Sequence, residues 1–297
     1  MMGRPRLRLP APRQPDRPAE GPEAMIGAFA ERCLRLEVDT WPKPGLVSRV
    51  DNGSHLDMNA GTFARSAAAI GPYLAELARA GAERREMAAL RRIGLRAEHA
   101  MLAATGGVNT HRGAIFGLGL LCAAAGLRHA SSPGPAAGPA AGPTLGDCVA
   151  RQWGAEILLG PRPSDSHGEI AIRRHGVGGA RREAADGFPS VYRIGLPALR
   201  EARELRPGDE AAARVQACFA LIAELDDTNL LHRGGAEGLA FARRGAREFL
   251  ARGGVAASDW LSRAEAVHRA FVARRLSPGG AADLLAMSLF VDGFEAP

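Results

Sequence analysis

The sequence is poor in the residues that build β-structure and in the features that mark membrane or disulfide-stabilised proteins. Only 5% of the 297 residues are aromatic, whereas β-sandwiches and barrels need aromatic and β-branched side chains. No run of about 18 apolar residues occurs, which argues against a transmembrane helix and a membrane partner. Four widely spaced cysteines without a C-x-x-C motif predict buried free thiols in a reducing cytoplasm, with no disulfide and no zinc site. They are Cys33, Cys122, Cys148 and Cys218.

Lysine is almost absent. Of 38 basic residues, Lys43 is the only lysine. It lies in Pro42-Lys43-Pro44-Gly45, a stiff turn that fixes where its ammonium points. Lysine is a compact point charge, unlike arginine, so its retention indicates a specific role, with chance retention as the alternative. The net charge is +6, but residues 1–18 contribute +4 of it, so neither a basic patch on the folded body nor nucleic-acid binding is expected.

Two low-complexity segments accompany a chain with helical periodicity. Residues 1–23 alternate Pro and Arg, which predicts a disordered tail and not a secretory signal; Met25 is an alternative start of translation. Residues 131–144 are uncharged and rich in Pro, Gly and Ala, which predicts a flexible surface loop. Elsewhere apolar residues recur every three or four positions, so we predict a single all-α domain over 24–297. The predicted helices are 25–40, 61–80, 84–105, 110–126, 145–160, 209–225, 236–252, 258–276 and 280–291.

Polar and glycine residues concentrate where these predicted helices meet. The loop after the first helix carries Lys43, His55 and Asp57. The next junction joins a helix bearing Glu98, expected to be partly buried, through Gly106-Gly107 to a polar helix start. The residues of that start are Asn109, Thr110, His111 and Arg112. Free backbone N–H groups at such a start bind phosphate, although helix capping alone also explains the pattern.

The most informative junction is Asp226-Asp227-Thr228-Asn229, followed by His232-Arg233-Gly234-Gly235. Aspartates after a helix C-terminus are disfavoured by the helix dipole by about 0.3–1 kcal/mol, so a cation such as Mg²⁺ is expected to offset them. The alternative is that Asp227 or Thr228 only caps the turn that follows. A further junction, Ser277-Pro278-Gly279-Gly280, fits an N-cap and a helix start that a ligand can approach closely.

Together these junctions hold acidic residues, one lysine, two arginines and glycine-flanked helix starts, an inventory that suits a Mg²⁺-bound polyphosphate such as ATP. The sequence has neither a G-x-x-x-x-G-K-[ST] loop nor a G-x-G-x-x-G motif after a strand. The P-loop and Rossmann modes of nucleotide binding are therefore excluded.

Motifs at these junctions, and one further motif between them, resemble those of the triphosphoribosyl-dephospho-CoA synthase family, in the family's order and spacing over about residues 25 to 292. They are PKPGLV with GSHLDM (42–47, 53–58), AEHAM with TGGVNTHRGAIF (97–101, 105–116), EAADGFP (183–189), DDTNLLHRGG (226–235) and SPGGAADLLA (277–286). Arg112 departs from the family's N-T-H-K-G pattern, and the insert at 131–144 is peculiar to this chain.

The resemblance implies an all-α pentosyltransferase that moves the triphosphoribosyl group of ATP to the 2′-hydroxyl of 3′-dephospho-CoA and releases adenine. The product is a prosthetic-group precursor for the acyl carrier subunit of malonate decarboxylase or citrate lyase. It would pass to a phosphoribosyl-dephospho-CoA transferase and then to an apo acyl carrier protein. The flanking residues Trp41 and Ser48 favour the malonate branch.

The chemistry of this reaction suggests roles for the candidate residues. Carboxylates stabilise an oxocarbenium-like transition state, the attacking hydroxyl needs a base, and departing adenine gains from a proton or a hydrogen bond. The expected catalytic residues are Glu98, Asp57 and His111, with Glu98 or Asp57 as the base. Mg²⁺ is expected on Asp226 and Asp227. The residues expected to bind the phosphates of ATP are Lys43, Asn109, Thr110, Arg112, Arg233, Gly234, Ser277, Gly279 and Gly280.

Two other functions fit the same residues. One is a Mg²⁺-dependent N-glycosidic hydrolase of the ADP-ribosylglycohydrolase type, which releases the base to water and needs no CoA. The other is a non-enzymatic helical protein that binds MgATP without releasing adenine.

Overall fold

The structure is a computed structural model that describes residues 21–131, 142–161, 174 and 176–295. These residues form eleven α-helices and no strand, which confirms the predicted all-α fold. The helices are α1 (Pro22–Asp39), α2 (Ala60–Ala82), α3 (Met87–Thr105), α4 (Arg112–Ser131), α5 (Leu145–Leu159), α6 (Gly179–Ala185), α7 (Leu196–Leu205), α8 (Glu210–Glu224), α9 (Thr228–Ala251), α10 (Trp260–Ala273) and α11 (Gly279–Glu295). A π-helix, Val191–Gly195, leads into α7, and a 3₁₀ helix, Gly254–Ala256, follows α9. The predicted tail at 1–23 and loop at 131–144 lie almost entirely outside the described residues.

Two helices, α4 and α8, form the centre of the core, and α11 packs against both. Small residues let α2 approach α4 until their backbones touch: a Cβ added to Gly81 would lie 1.8 Å from the carbonyl oxygen of Ala123. By length and composition α4 could cross a membrane, although its unbroken apolar run is shorter than about 18 residues. However, 72% of its most apolar window is buried inside the protein, as expected for a core helix.

Local sequence signals explain many of the helix boundaries. Asn59 and Thr144 each form a capping box at the start of α2 and α5. Gly106 ends α3 in the left-handed conformation (φ 67°), as its position after the helix predicts. All four cysteines are buried and unpaired, as expected, whereas the cytoplasmic location stays a prediction.

Three local predictions differ from the structure. Helix α9 begins at Thr228, not near 236, because Asp227 caps it, and Gly235 (φ 60°, ψ −160°) interrupts its helical geometry. Ser277 does not cap α11, since its hydroxyl bonds to His55. Helix α7 and the π-helix before it were not predicted.

The EAADGFP motif forms the end of α6 and a turn that buries Phe188. Glu183 accepts hydrogen bonds from the backbone N–H of Ser190 (2.7 Å) and from its hydroxyl (3.0 Å). Phe188 is buried at a positive φ of 60°, which is strained for a bulky residue. Its ring lies beside the Gly117 position of α4, so this motif positions the loop against the core.

Candidate functional site

The starts of α4, α9 and α11 meet around two aspartates. Asp227 is buried, and its Oδ1 accepts hydrogen bonds from the backbone N–H groups of Asn229 (2.8 Å) and Leu230 (3.3 Å). Its Oδ2 accepts from the N–H of Ala281 (3.0 Å). One carboxylate therefore caps two helices, which confirms the capping interpretation of Asp227 and fixes the start of α11 beside the start of α9.

Asp283 joins α11 to the start of α4. A Cβ added to Gly113 would lie only 2.0 Å from Asp283 Oδ2, so glycine is needed for this close approach. The backbone of Ala114 hydrogen-bonds the carboxyl group and lowers its pKa. Burial, with smaller contributions from the charges of Glu37 and Asp227, outweighs this and raises the pKa of Asp283 well above its usual value. No arginine, lysine or histidine among the described residues forms an ion pair with it.

Lys43 supplies positive charge to the interior through Glu37, whose own charge acts on Asp283. Its side chain is 1% exposed, and its ammonium donates a hydrogen bond to Glu37 on α1. Burial raises the pKa of Glu37, which Lys43 partly opposes. His268 on α10 holds the turn that carries the lysine: Nδ1 lies 2.7 Å from the carbonyl oxygen of Lys43, and Nε2 lies 3.0 Å from Asp51 Oδ2.

His111 lies immediately before α4 and is 3% exposed. Its Nδ1 lies 2.6 Å from the hydroxyl of Ser66, which also accepts a hydrogen bond from Thr110 (2.7 Å). Its Nε2 is buried and has no hydrogen-bond partner among the described residues. Burial, assisted by the charge of Lys43, lowers the pKa of His111 to about 3, so the ring stays neutral at physiological pH.

A second cluster joins the loop after α1 to α9 and α11. Arg233 donates to His55 Nδ1 (3.2 Å), and His55 Nε2 lies 2.8 Å from the hydroxyl of Ser277. Burial, followed by the charge of Arg233, lowers the pKa of His55 to about 4. Asp57 is 63% exposed, with Oδ1 3.7 Å from His55 Nδ1. Asp57 and Arg233 are therefore open to a ligand from outside.

A third group lies at the junction of α3 and α4. The guanidinium of Arg112 pairs with the partly buried Glu98 through Nε and Oε2 (2.9 Å). Exposed Asn109 accepts from the backbone N–H of Arg112 (3.3 Å) and caps α4. Since this side chain takes one of the free N–H groups, less of the helix start is open to phosphate than its sequence predicts.

The structure does not bring all the predicted residues together. Asp226 is 56% exposed, and its Oδ1 accepts from Arg243 (2.8 Å), whereas Asp227 faces the interior. The three glycines lie close to neighbouring side chains: Gly234 to Leu276, Gly279 to Asn229 and Gly280 to Asp227. The Asp227 carboxylate already occupies an N–H group of the α11 start.

Sequence reasoning assigned no role to Asp283, Glu37, Ser66 or His268. Asp283 and Glu37 carried a usable signal, because each is an acidic residue on a helix whose neighbouring positions are apolar and buried. Ser66 carried none, since it lies in an alanine-rich stretch of α2 where a serine is unremarkable. His268 was indistinguishable from a satisfied core histidine.

Comparisons with known proteins identify the chain as an all-α enzyme of the transferase class. The family model described as ATP:dephospho-CoA triphosphoribosyl transferase matches residues 23–297. The chain therefore belongs to this family. No solved structure matches it.

Three curated relatives cover nearly the whole chain and share one description, "Probable 2-(5''-triphosphoribosyl)-3'-dephosphocoenzyme-A synthase". A protein of Pseudomonas paraeruginosa is 43% identical over 289 residues, 94% of each chain. One of Pseudomonas aeruginosa is 44% identical over 278 residues, 91% of each chain. One of Stutzerimonas stutzeri is 43% identical over 273 residues, 90% of each chain.

Proposed function

We propose that this enzyme transfers the triphosphoribosyl group of ATP to the 2′-hydroxyl of 3′-dephospho-CoA. The C1′–N9 bond of ATP breaks, a bond from C1′ to the acceptor oxygen forms, and adenine leaves with the proton of the hydroxyl. The observation that carries the proposal is the meeting of three helix starts at Asp227 and Asp283, beside the buried Lys43–Glu37 pair. Carboxylates held in this way stabilise positive charge that develops on a ribose ring.

We further propose that Mg²⁺ enters with ATP. Among the described residues no group of three or more His, Cys, Asp and Glu is arranged to hold a metal ion. Mg²⁺ needs only one or two carboxylates when phosphates and water complete its octahedron, and Asp283 offers a carboxylate with no cation paired to it. We therefore place the ion at Asp283 with the remaining lone pairs of Asp227, a modified form of the Asp226–Asp227 pair, because Asp226 is paired with a cation, Arg243, whereas Asp227 is bonded only to neutral backbone N–H groups among the described residues. The ion would neutralise phosphate charge.

The remaining roles follow from exposure and charge. Arg233 and Arg112 are accessible cations and would bind the phosphates, with the side chains of Asn109 and Ser277 and the backbone N–H of Thr110 as neutral partners. Lys43, bonded to Glu37 in the interior, would balance the charge of the carboxylates. Asp57 and Glu98 remain the proposed bases; Asp57 is the more exposed, whereas Glu98 would first have to leave Arg112.

The direct test is adenine release from MgATP, measured with and without 3′-dephospho-CoA, followed by mass analysis of the CoA product. Release that needs the acceptor, with an added triphosphoribosyl mass, is the expected result. Release without the acceptor would indicate a hydrolase, and no release would leave a nucleotide-binding protein.

We also propose that the product serves malonate decarboxylase and not citrate lyase, on the basis of the residues that flank PKPGLV. Because the product is the same compound for both systems, the test is made in cells that carry the gene: the gene is deleted and restored, and loading of the two apo acyl carrier proteins is followed. Loss of loading of the malonate carrier on deletion, regained on restoration, is expected. Equal loss for both carriers, or loss for the citrate lyase carrier alone, would contradict the assignment.

A further inference from the structure

We propose that Ser66 is a positioning residue: with Thr110 it holds His111 as the tautomer whose Nε2–H donates a hydrogen bond to an acceptor atom of the bound nucleotide. The inference rests on the proposed function for the identity of the ligand. The tautomer itself does not depend on it. His111 then acts as a neutral donor and does not exchange protons during the reaction.

The first observation is the unpaired nitrogen. His111 Nε2 is buried and has no partner in the part of the chain that the structure describes, although leaving a buried polar group unpaired costs about 1–3 kcal/mol. Most buried polar atoms in proteins are paired. The unpaired Nε2 belongs to the residue just before α4, the helix whose first turn contacts Asp283. An exception at this place indicates a donor or acceptor reserved for a ligand.

The second observation is the order of the hydrogen bonds. Thr110 Oγ1 donates to Ser66 Oγ (2.7 Å). A hydroxyl oxygen can accept a second hydrogen bond, but the Ser66 proton also needs an acceptor, and among the described residues only His111 Nδ1, 2.6 Å away, is within reach of it. An imidazole that accepts at Nδ1 carries its proton at Nε2 when it is neutral. The chain Thr110–Ser66–His111 therefore selects the Nε2–H form.

The third observation is that the ring is held in place and surrounded by groups that oppose its protonation. The edge of Phe63 contacts it, with ring centroids 5.0 Å apart and an interplanar angle of 88°. The backbone N–H of His111 bonds to Met101 Sδ (3.2 Å). The ammonium of Lys43 disfavours an imidazolium nearby. A fixed neutral donor suits a purine ring nitrogen or a phosphate oxygen, and both are lone-pair acceptors.

The first experiment reads the tautomer directly. ¹⁵N–¹H NMR of the histidine-labelled enzyme should show His111 with a protonated Nε2 and an unprotonated Nδ1, unchanged from pH 5.5 to 8. In the Ser66→Ala enzyme the His111 signals should broaden, or signals of both neutral tautomers should appear. A protonated Nδ1 in the wild type, or a titration in this range, would overturn the proposal whether or not the enzyme releases adenine.

The second experiment compares two substitutions of the same ring. His111→Gln places an amide N–H near the position of Nε2, whereas His111→Asn reaches only the position of Nδ1. We expect the Gln enzyme to keep kcat within about tenfold and the Asn enzyme to lose about 100-fold, the usual cost of removing one preorganised donor. The shape of the pH–rate profile should not change. Loss of one limb of that profile in the Gln enzyme, or higher activity in the Asn enzyme, would contradict the donor role.

The third experiment tests the positioning residues. Thr110→Val should lower kcat and Thr110→Ser should restore it, since only the serine keeps the hydroxyl. Ser66→Ala should cost about 10–100-fold in kcat. Ser288→Ala is the matched control, because Ser288 is equally buried but bonds only within α11; it should leave kcat and KM unchanged. Equal activity of the Ser66→Ala and Ser288→Ala enzymes would refute a positioning role.

Analogues of ATP distinguish the two acceptors. If Nε2–H donates to a ring nitrogen, 3-deaza-ATP or 7-deaza-ATP should abolish the difference between wild type and His111→Asn. If it donates to a phosphate, that difference should persist with both analogues and appear mainly in KM. If the wild type has neither a lower KM nor a higher kcat than His111→Asn with any of these nucleotides, both acceptor assignments are overturned.

Discussion

The single lysine is protected by the fold itself. Lys43 is 1% exposed and bonded to Glu37, and a modifying reagent must reach a free amine. We therefore expect reductive methylation of the native enzyme to leave Lys43 unmodified with or without ATP, and to modify it fully in denaturant. Mass spectrometry of the peptide that contains Pro42–Gly45 measures this. Rapid modification of the free enzyme, slowed by ATP, would instead favour the original expectation of a phosphate ligand.

Asp226, Asp227 and Asp283 differ in exposure and in hydrogen-bond partners. Replacing each by asparagine should therefore affect activity and stability differently. Asp283→Asn should nearly abolish adenine release and weaken MgATP binding. Asp226→Asn removes only an exposed pair with Arg243, worth about 0–1 kcal/mol, and should keep most activity. Asp227→Asn should weaken MgATP binding and also lower the free energy of unfolding by about 1–3 kcal/mol, because two helices lose a charged cap. Steady-state kinetics with urea unfolding measures all three. An inactive Asp226→Asn enzyme with normal stability would restore the Asp226–Asp227 metal pair.

At the residue scale, the sequence patterns identified the segments that form the site better than they identified the contacts between individual residues. They identified Asp227 as a metal ligand or a cap, and the capping alternative is confirmed. They could not reveal that one carboxylate reaches Ala281, since this contact spans 54 residues of sequence. Ser66 was invisible because its role depends on which side of α2 faces His111, and nothing in an alanine-rich stretch specifies that.

At the scale of helices, α4 and α11 can approach this closely only because Gly113 has no side chain. Gly113→Ala would place a methyl group 2.0 Å from Asp283 Oδ2, and the carboxylate would have to move. We expect an enzyme that folds but has lost at least 100-fold in adenine release. Gly94→Ala is the control, since its nearest neighbour would be Ile115 Cγ2 at 4.0 Å. That change should stabilise α3 by up to about 1 kcal/mol without affecting catalysis. Equal activities would mean that the carboxylate position is unimportant.

Periodicity predicted well the long helices that bury one apolar face, whereas α4 is buried on all sides, with residues 117–127 all inside the protein. It missed α7 because Gly195 and Pro197 stand at its start, and a π-helix continues directly into it. It started α9 too late because the polar DDTNLLHRGG run resembles a loop. In the structure that run is the first turns of a helix whose cap and Gly235 kink give it an irregular start.

For the whole molecule, buried neutral histidine makes stability depend on pH. The pKa of His111 is about 3 when folded and near 6.5 when unfolded. Below pH 6.5 the unfolded chain binds a proton that the folded chain does not. The free energy of unfolding therefore falls with falling pH, by a slope that approaches about 1.4 kcal/mol per pH unit.

The variant His111→Gln lacks this contribution. Between pH 5.5 and 4.5 the free energy of unfolding of the wild type should therefore fall by almost the full ~1.4 kcal/mol more than that of the variant. His55 and the buried carboxyl groups titrate in both proteins, so they cancel in the comparison. Chemical denaturation across this range measures the difference, and a constant difference would show that His111 is protonated in the folded state.

The last helix is anchored at both ends. Asp227 holds its start at Ala281. At its far end Glu295 accepts from Arg128 (3.2 Å), the backbone N–H of Leu145 (2.6 Å) and Tyr192 (3.0 Å). A helix is stiff and rises 1.5 Å per residue, so Glu295 lies about 18 Å along the axis from Asp283. Loss of the Glu295 side chain, as in Glu295→Ala, would thus free one end of this rod and misalign a carboxylate that the change does not touch.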